Sequence, residues 1–201
     1  HLMGRIASLC YARFVKNGTP LALVSTDNCS HNGDKLKAGV MAYVDAWKQA
    51  GKVDDDFVSY MEEKVSFPWS MIDKITPRPD EKVKEMLEKD GFEDTDLIIT
   101  SRNTYTAPFV NSEETGYLVI EDNFPNGRPT LEKAGIVFTD RETVDKVEKM
   151  KVCTCLNPLH TALAIYGCML GHTSIHDEME DKELSQLIQK MCYEEAMSVV
   201  V

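Results

Sequence analysis

The chain has little positive charge for its size. Its 201 residues include 22 lysine and arginine residues against 33 aspartate and glutamate residues, for a formal net charge of −11. Nucleic-acid binding needs a basic face, and no stripe of lysine and arginine is present, so the composition excludes a nucleic-acid partner. The 43% hydrophobic and 27% charged content is typical of a soluble globular protein rather than a disordered one.

Long apolar runs and a dense set of cysteines are also missing. The most apolar stretch, around residues 159–170, is about half of the roughly 20 residues that a membrane-spanning helix needs. No secretory signal is visible, and six scattered cysteines suit reduced thiols. We therefore predict a cytoplasmic protein that binds no membrane. Its oligomeric state, monomer or homodimer, stays open.

The spacing of cysteines and histidines gives little support for a metal site. Cys153 and Cys155 form one Cys-x-Cys pair near His160, and His172 lies four residues before His176. A structural zinc site would need two liganding pairs, and a single short pair is common by chance. We predict no metal site.

The sequence does contain a lysine, a carboxamide and an imidazole at the head of an apolar helix. These are Lys151, Asn157 and His160. A buried polar group costs free energy unless it has a partner, and a bound carbonyl or alkoxide would be a suitable one. The alternative is that Lys151 is a surface lysine closing the charged helix before it.

A polar loop follows a predicted buried strand at residues 21–24. The loop reads Ser25-Thr-Asp-Asn-Cys-Ser-His-Asn-Gly-Asp34 and leads into an amphipathic helix. Ligands bind outside the carboxyl ends of strands in open α/β sheets, which makes Asp27 and Asn28 candidates. Capping and turn chemistry explains several of these positions without a ligand and is the alternative.

Two further segments place charge among apolar residues. Asp73 and Lys74 are flanked by isoleucines in a proline-containing segment that excludes a regular helix, so we expect at least one of them to face a cavity or a partner. Arg128 follows a predicted strand at residues 117–120 and suits a carboxylate or phosphate. A structural ion pair with its acidic neighbours is the commoner role for such an arginine.

Four motifs, in order, resemble one family. They are Ser25-Thr-Asp-Asn-Cys-Ser-His-Asn-Gly33, Ser66-Phe-Pro-Trp-Ser-Met-Ile-Asp-Lys-Ile-Thr-Pro77, Val119-Ile-Glu-Asp-Asn-Phe-Pro-Asn-Gly-Arg-Pro129 and the segment from Lys151 to His160. In these the chain resembles the mannitol dehydrogenase and fructuronate reductase (mannonate oxidoreductase) family of long-chain polyol dehydrogenases. No G-x-G-x-x-G follows a strand, so we expect a fragment that lacks the first part of the family's nucleotide-binding domain and is inactive alone.

The resemblance implies metal-independent hydride transfer between a nicotinamide cofactor, NAD or NADP, and a secondary alcohol. It makes Lys151 the general acid and base, Asn157 and Asn28 the amides that hold the reacting oxygen, and His160 a contact to substrate hydroxyls. Burial lets such a lysine exchange its proton near neutral pH, and amide donors stabilise an oxyanion. The remaining predicted contacts are Asp73, Lys74 and Arg128 to substrate and Asp27 and Asn28 to cofactor.

The resemblance also implies the architecture. Strands and helices are predicted to alternate up to about residue 145, and only helices are predicted from Glu142 onward. We expect residues 1–145 to be the later part of a Rossmann-like nucleotide-binding domain and residues 146–201 the start of an all-α substrate domain. The expected reaction interconverts D-mannonate and D-fructuronate. The alternatives are mannitol 2-dehydrogenase activity, on mannitol and fructose, and a non-catalytic domain on the same scaffold.

The lysine departs from the family pattern. The family's lysine precedes its asparagine by five positions, and here the separation is six. At about 100° per residue, a regular helix would turn Lys151 nearly opposite His160. Pro158 clashes with the carbonyl of Thr154 in a regular helix. We therefore predict a one-residue bulge or kink within residues 152–156 that returns the lysine to the face of the histidine.

Overall fold

The computed structural model describes residues 1–74, 78–112, 116 and 118–199 of the chain. They form two compact units, one made of His1–Ile72 with Leu118–Val201 and the other of Asp73–Tyr117. The helices are α1 (Leu2–Lys16), α2 (Asn32–Gln49), α3 (Asp55–Glu63), α4 (Glu81–Lys89), α5 (Arg141–Glu148), α6 (Asn157–Leu170), α7 (Ile175–Glu180) and α8 (Lys182–Lys190). The strands are β1 (Leu21–Ala22), β2 (Val65–Ser66), β3 (Ser70–Met71), β4 (Ile98–Ile99), β5 (Tyr105–Thr106), β6 (Val119–Glu121) and β7 (Val137–Thr139). Two segments are π-helical, Lys149–Leu156 and Met191–Ala196, and two are 3₁₀ turns, Leu131–Ala134 and Met197–Val199.

Helices α1, α2 and α3 enclose the main core of the first unit. Val40 and Val44, one turn apart on α2, are fully buried and pack with Phe57 and Met61 of α3. Each such side chain contributes about 1.5–3 kcal/mol through burial. Asp54 caps α3 by accepting a hydrogen bond from the Phe57 amide, which satisfies one free donor at the helix start. This core holds β1 and α2, which flank the polar loop.

Short strands complete the first unit. β1 pairs in parallel with β2, with Leu21 opposite Val65. β6 lies between β3, to which it is antiparallel, and β7, to which it is parallel. The predicted strands at residues 21–24 and 117–120 therefore appear as β1 and β6, although Tyr117 lies outside the described residues. The sequence did not predict β2, β3 or β7.

One long helix crosses the first unit. α5, the π-helical segment Lys149–Leu156 and α6 follow one another directly, giving a 30-residue helix, Arg141–Leu170. Asp140 caps its start through the Thr143 amide, and Gly171, at φ 91°, ends it in the left-handed conformation that favours glycine. The predicted domain boundary near residue 145 lies inside this helix and stays a prediction.

The same helix is long and apolar enough to cross a membrane by length and composition alone. Only 17% of its most apolar window is buried within the protein. Length and composition are weak evidence, because a core helix of a larger protein passes the same test. The absence of a membrane span stays a prediction.

The second unit contains α4 and a hairpin of β4 and β5. Asp80 caps α4 by accepting hydrogen bonds from the amides of Lys82 and Val83. β4 pairs with β5 in antiparallel register, with Ile98 opposite Thr106. The sequence of residues 80–90, with Val83, Met86 and Leu87 spaced to share one face, predicts a helix, and residues 97–100 predict a strand. Both are present, the strand as a two-residue pairing.

Candidate active site

A buried asparagine fastens the polar loop at residues 25–31. Asn32 is 2% exposed. Its Nδ2 donates to the carbonyls of Asp27 and Ser70, each at 3.0 Å, and its Oδ1 accepts from the Ser70 amide at 3.0 Å. Ser70 Oγ in turn donates to the carbonyl of Ser25. Because both ends of the loop are tied to the start of β3, the exposed tip around Asn28 has a defined position.

The residue after Asn32 has to be small. A Cβ on Gly33 would overlap the carbonyl oxygens of Phe67 and Pro68. These are backbone atoms of the segment that precedes β3, so they cannot turn aside as a flexible side chain would. Glycine at this position therefore allows α2 to start directly against that segment.

The loop tip docks on the long helix through two side chains. His31 has a left-handed backbone (φ 54°, ψ 43°), which is uncommon outside glycine. Its Nε2 lies 3.0 Å from Asp145 Oδ1, and its ring stacks on Trp69 with centroids 4.1 Å apart. Ser30 Oγ donates to Glu148 Oε1. Glu148 lies three residues before Lys151, so the loop of Asn28 meets the helix of Lys151.

Charged groups surround this contact. Lys149 Nζ donates to Asp145 Oδ2 at 2.6 Å. The hydrogen bond from Lys149, together with that from His31, lowers the pKa of Asp145 below its usual range. The guanidinium of Arg141 lies 4.7 Å from the Trp69 ring centroid and donates to Glu121 at 3.0 Å. The carboxylate of Asp145 is thus held charged between a lysine and the loop histidine.

The helix beneath the loop is irregular where the sequence predicted it. Lys149–Leu156 is π-helical, and the Asn157 amide donates to the carbonyl of Val152, five residues earlier. Thr154 Oγ1 adds a bond to the carbonyl of Lys149, also five residues back. The predicted irregularity is confirmed.

The wide turns change which residues share a face. A π-helical turn closes around one more residue than an α-helical turn. At roughly 82° per residue through the π-helical segment and about 100° beyond it, Lys151 and His160 are separated by about 70° around the helix axis, instead of about 180° in a regular helix. Lys151 and His160 are half-buried, and Asn157 is exposed. By the same count Asn157 lies about 130° from Lys151, so the π-helical turns bring His160 towards the side of Lys151 and leave the three residues within an arc of about 130°.

Asp73 and Lys74 belong to the second compact unit. Both are half-buried there. The ammonium of Lys74 packs against Gly116, where it occupies the space that a Cβ would need. The last three residues of their motif, 75–77, lie outside the described residues. The prediction that Asp73 and Lys74 border the substrate stays a prediction.

Arg128 makes the structural ion pair that was the alternative at this position. It donates to Asp122 at 2.8 Å and to Glu132 at 2.8 Å, and its guanidinium carbon lies 3.5 Å from the Phe138 ring centroid. The hydrogen bond to Asp122 raises the pKa of Arg128 further above its ordinary value. A substrate clamp through Arg128 stays a prediction, and it would require these bonds to open.

Within the described parts of the chain, one cluster has the spacing of a metal site. His176, Asp177 and Glu180 bring their ligand atoms within 4.8 Å of one another on α7. All three are exposed, and exposed acidic groups are common without a metal. We assign no metal to them.

Several residues of the contact were not identified from the sequence. Ser30, His31 and Trp69 lie within the four motifs, but their residue types alone indicate no role. Asp145 and Glu148 lie outside the motifs. Asp145 and Lys149 are four apart on a helix, which is the spacing of an ion pair. The pairing of His31 with Asp145 spans 114 positions and left no local signal.

Comparison with known proteins decides the family. Residues 1–133 match the family model described as the mannitol dehydrogenase Rossmann domain. The chain belongs to the mannitol dehydrogenase family. Membership confirms the resemblance and the α/β fold class with a Rossmann-like nucleotide-binding domain. The candidates Asp27, Asn28, Asp73, Lys74 and Arg128 all lie within the matched residues.

Individual mannitol dehydrogenase relatives are similar over nearly the whole chain. It is 54% identical to the D-mannonate oxidoreductase of Thermotoga maritima over 99% of the chain and 37% of that protein. A crystal structure of D-sorbitol dehydrogenase in substrate-free form matches with a TM-score of 0.74 and 26% identity, over 94% of this chain and 35% of that one. The ternary complex of Pseudomonas fluorescens mannitol 2-dehydrogenase with NAD and D-mannitol matches with a TM-score of 0.68 and 26% identity, over 98% and 36%. The chain spans little more than a third of the length of these relatives.

Proposed function

We propose that the protein carrying this chain is a metal-independent, NAD(P)-dependent oxidoreductase that interconverts D-mannonate and D-fructuronate. The observation that carries the proposal is the docking of the Asn28 loop on the helix of Lys151, through Ser30 and Glu148. The π-helical segment then reduces the angle between Lys151 and His160 around the helix axis to about 70°. Similarity to the Thermotoga maritima D-mannonate oxidoreductase favours the hexonate substrate.

The loop suits a nicotinamide cofactor. β1 runs parallel to β2, and the loop follows the carboxyl end of β1, where cofactors bind in doubly wound sheets. Asp27 and Asn28 are exposed at its tip and would hold the cofactor. When bound, that cofactor supplies the hydride acceptor or donor. NAD and NADP both remain candidates, and the NAD complex of the Pseudomonas fluorescens enzyme is a precedent for the first.

The chain's own residues would manage the substrate oxygen. Lys151 Nζ takes the hydroxyl proton as the alcohol becomes a carbonyl and returns it in the reverse direction. The amides of Asn157 and Asn28 donate hydrogen bonds to the oxygen while it carries negative charge. His160, on the same helix side, binds a neighbouring hydroxyl.

A hexonate also carries a carboxylate, which needs a cation. Lys74 and Arg128 are the candidates that the sequence supplies. Arg128 would have to release Asp122 and Glu132 to take this role. Both side chains stay candidates for it.

Two alternatives remain. Mannitol 2-dehydrogenase activity is favoured by the likeness to the enzyme complexed with NAD and D-mannitol. A non-catalytic domain was suggested by the extra residue before Asn157, and the π-helical turn now accommodates that residue. We also propose a cytoplasmic location, because all six cysteines, each within the described residues, are free thiols.

The test is an assay of the protein in its full length with fructuronate, tagaturonate and fructose, each with NADH and with NADPH. We expect fructuronate to be reduced with the highest kcat/KM. Lys151→Ala should lower kcat by about 10²–10⁴-fold, the usual contribution of a general acid and base.

The matched control is Lys146→Ala on the same helix. Lys146 is exposed and pairs with Glu142 at 3.0 Å, so its loss should leave kcat unchanged. Turnover of none of the substrates, or equal activity of the Lys151→Ala and wild-type proteins, would contradict the proposal. A preference for fructose would favour the mannitol 2-dehydrogenase alternative.

A further inference from the structure

His31 makes two side-chain contacts at once from an uncommon backbone conformation. Its Nε2 lies 3.0 Å from Asp145 Oδ1 on the long helix, and its ring stacks on Trp69 with the two planes 16° apart. Its φ of 54° and ψ of 43° lie in the left-handed region. A residue other than glycine is strained there and persists only where the surrounding contacts hold it. The two contacts are what holds the histidine in this conformation.

Both partners of His31 are themselves fixed. Asp145 divides its carboxylate, since Oδ1 faces His31 while Oδ2 accepts a hydrogen bond from Lys149 Nζ at 2.6 Å. The backbone of Trp69 is bonded twice to Glu121: its amide donates to Oε2 at 3.0 Å, and its carbonyl accepts from the Glu121 amide at 2.9 Å. The imidazole is thus held between a helix residue and a strand-end residue that have defined positions.

These contacts locate the loop relative to the helix of Lys151. The hydrogen bonds of Asn32 tie the loop to its own backbone and to the start of β3, not to the helix. His31 does reach the helix, three residues after Asn28, and the neighbouring Ser30 adds a second bond to the same helix. A displacement of about 1 Å between reacting groups can cost about 10²-fold in rate, so this tie is important for catalysis.

We propose that His31 is a positioning residue, which sets the place of Asn28 relative to Lys151 by bonding to Asp145 and stacking on Trp69. The inference rests on the proposed function, in which Asn28 and Lys151 act on the same substrate oxygen. The His31 side chain is 49% exposed, and an exposed ion pair contributes little to stability. We therefore expect its loss to change loop position and turnover more than the melting temperature.

Three variants separate the two contacts from the backbone conformation. His31→Gly keeps the left-handed backbone, which glycine adopts without strain, and removes both contacts. His31→Phe keeps a ring on Trp69 and removes the hydrogen bond. Asn103→Gly is the matched control, because Asn103 is also exposed with a left-handed backbone, at φ 57°, in the turn between β4 and β5.

The first measurement is steady-state reduction of fructuronate by the full-length protein. His31→Gly should lower kcat about tenfold and leave KM for fructuronate within about twofold, because a misplaced Asn28 weakens an interaction made in the transition state. His31→Phe should give a smaller loss of kcat. Asn103→Gly should match the wild-type protein in both constants.

A double-mutant cycle tests whether the histidine acts through Asp145. Asp145→Ala removes the acceptor at the other end of the bond. Combining it with His31→Phe should lower kcat no further than the more severe of the two single changes, since both remove the same interaction.

Alkylation of Cys29 by iodoacetamide reports loop position independently of turnover. Cys29 is half-buried in the loop, whereas Cys10 is buried in the core. Trypsin releases them in peptides 17–35 and 6–13, each with a single cysteine. His31→Gly should raise the alkylation rate at Cys29 about fivefold and leave that at Cys10 unchanged, because the loop opens while the core stays folded.

Three results would overturn the proposal: an unchanged rate at Cys29 in His31→Gly, a faster rate there without a fall in kcat, or additive losses in the double-mutant cycle. A wild-type protein that reduces none of the substrates contradicts the proposed function instead. The labelling then still decides whether His31 holds the loop on the helix.

Discussion

At the scale of single residues, Asn32 determines where the candidate loop lies. A carboxamide carries both donors and an acceptor, and Asn32 uses both kinds on backbone groups of the loop and of Ser70. Few side chains can bond to two strand-end segments at once in a buried position. The loop is thus positioned by a residue that we do not expect to touch the substrate.

Replacing Asn32 with leucine should lower the free energy of unfolding by about 2–4 kcal/mol. The change keeps the approximate volume but leaves the buried Ser70 amide and two carbonyls without their partners, at about 1–3 kcal/mol for each unsatisfied group, partly offset by relaxation. Urea unfolding measures the change, read from the midpoint at constant m-value.

Asn126→Leu is the matched control for this measurement. Asn126 is exposed in the loop after β6, so its replacement should change the free energy of unfolding by no more than about 0.5 kcal/mol. If both variants lost equally little stability, the role assigned to Asn32 would be wrong.

Only part of this residue-scale arrangement could be predicted from the sequence. The sequence locates the loop because its polar residues follow an apolar strand. Only the family resemblance assigns a role in catalysis to Asn28 rather than to its polar neighbours. Asn32 has the same polar character but is buried against Ser70, whereas His31 stays exposed while its ring contacts Asp145. Side-chain type does not reveal which polar residue of a loop faces the protein, because that depends on partners distant in the sequence.

At the scale of elements, two features of the sequence require an irregular turn where the π-helical segment lies. Pro158 cannot follow a regular turn without a clash at Thr154, and the six-residue separation of Lys151 from Asn157 needs an extra residue absorbed. Both demands were visible in the sequence and predicted the irregularity. Strands β2, β3, β5 and β7 were not predicted, because two or three residues are too few to show a period of two.

Deleting Cys153 from the π-helical segment should be tolerated. The exposed residue is the surplus one, and without it the segment can tighten to α-helical turns while α5 and α6 keep nearly the same phase. We expect the melting temperature to stay within about 3 °C of the wild-type value, as measured by circular dichroism.

Deleting Ala164 provides the comparison. Ala164 is exposed as well, but it lies in the regular part of α6. Its loss would turn Leu163 about 100° relative to the residues that follow, against its packing on Leu184 and Ile188. This deletion should cost several kcal/mol. Equal loss of stability in both deletions would argue against a surplus residue at position 153.

At the scale of the whole molecule, charge determines how stability responds to acid. Hydrogen bonds and neighbouring cations lower the pKa of carboxyl groups throughout the described chain. They include Asp96 in the second unit and Asp122, Asp140, Asp145 and Asp181 in the first. A carboxyl group whose pKa is lower in the folded state stabilises the protein above its unfolded pKa and loses that effect as the pH falls through the folded value.

The melting temperature should therefore fall as the pH drops below about 4, near the unfolded pKa of aspartate. Scanning calorimetry at pH 6, 5, 4 and 3 measures it. In the Asp145→Asn variant the melting temperature should fall less steeply with pH, since the substitution removes one carboxyl group whose pKa is lowered in the folded state. A melting temperature that rose steadily from pH 4 to pH 3 would contradict the expected sign.

The overall architecture was predictable to the level of fold class. The alternation of strands and helices, followed by helices alone, indicated the α/β class, and family membership confirmed it. The compact unit Asp73–Tyr117 was not foreseen. Pattern analysis follows the chain in order, whereas a compact unit depends on which segments return to pack together.

The stack of His31 on Trp69 also gives the loop an optical signature. The emission of an indole depends on its immediate neighbours, and an aromatic ring 4.1 Å away together with a guanidinium at 4.7 Å must shift it. The chain has two tryptophans, and the other, Trp47, lies on α2 near Tyr43. In a Trp47→Phe background, fluorescence would follow the undocking of the loop from the helix in real time, without any added label.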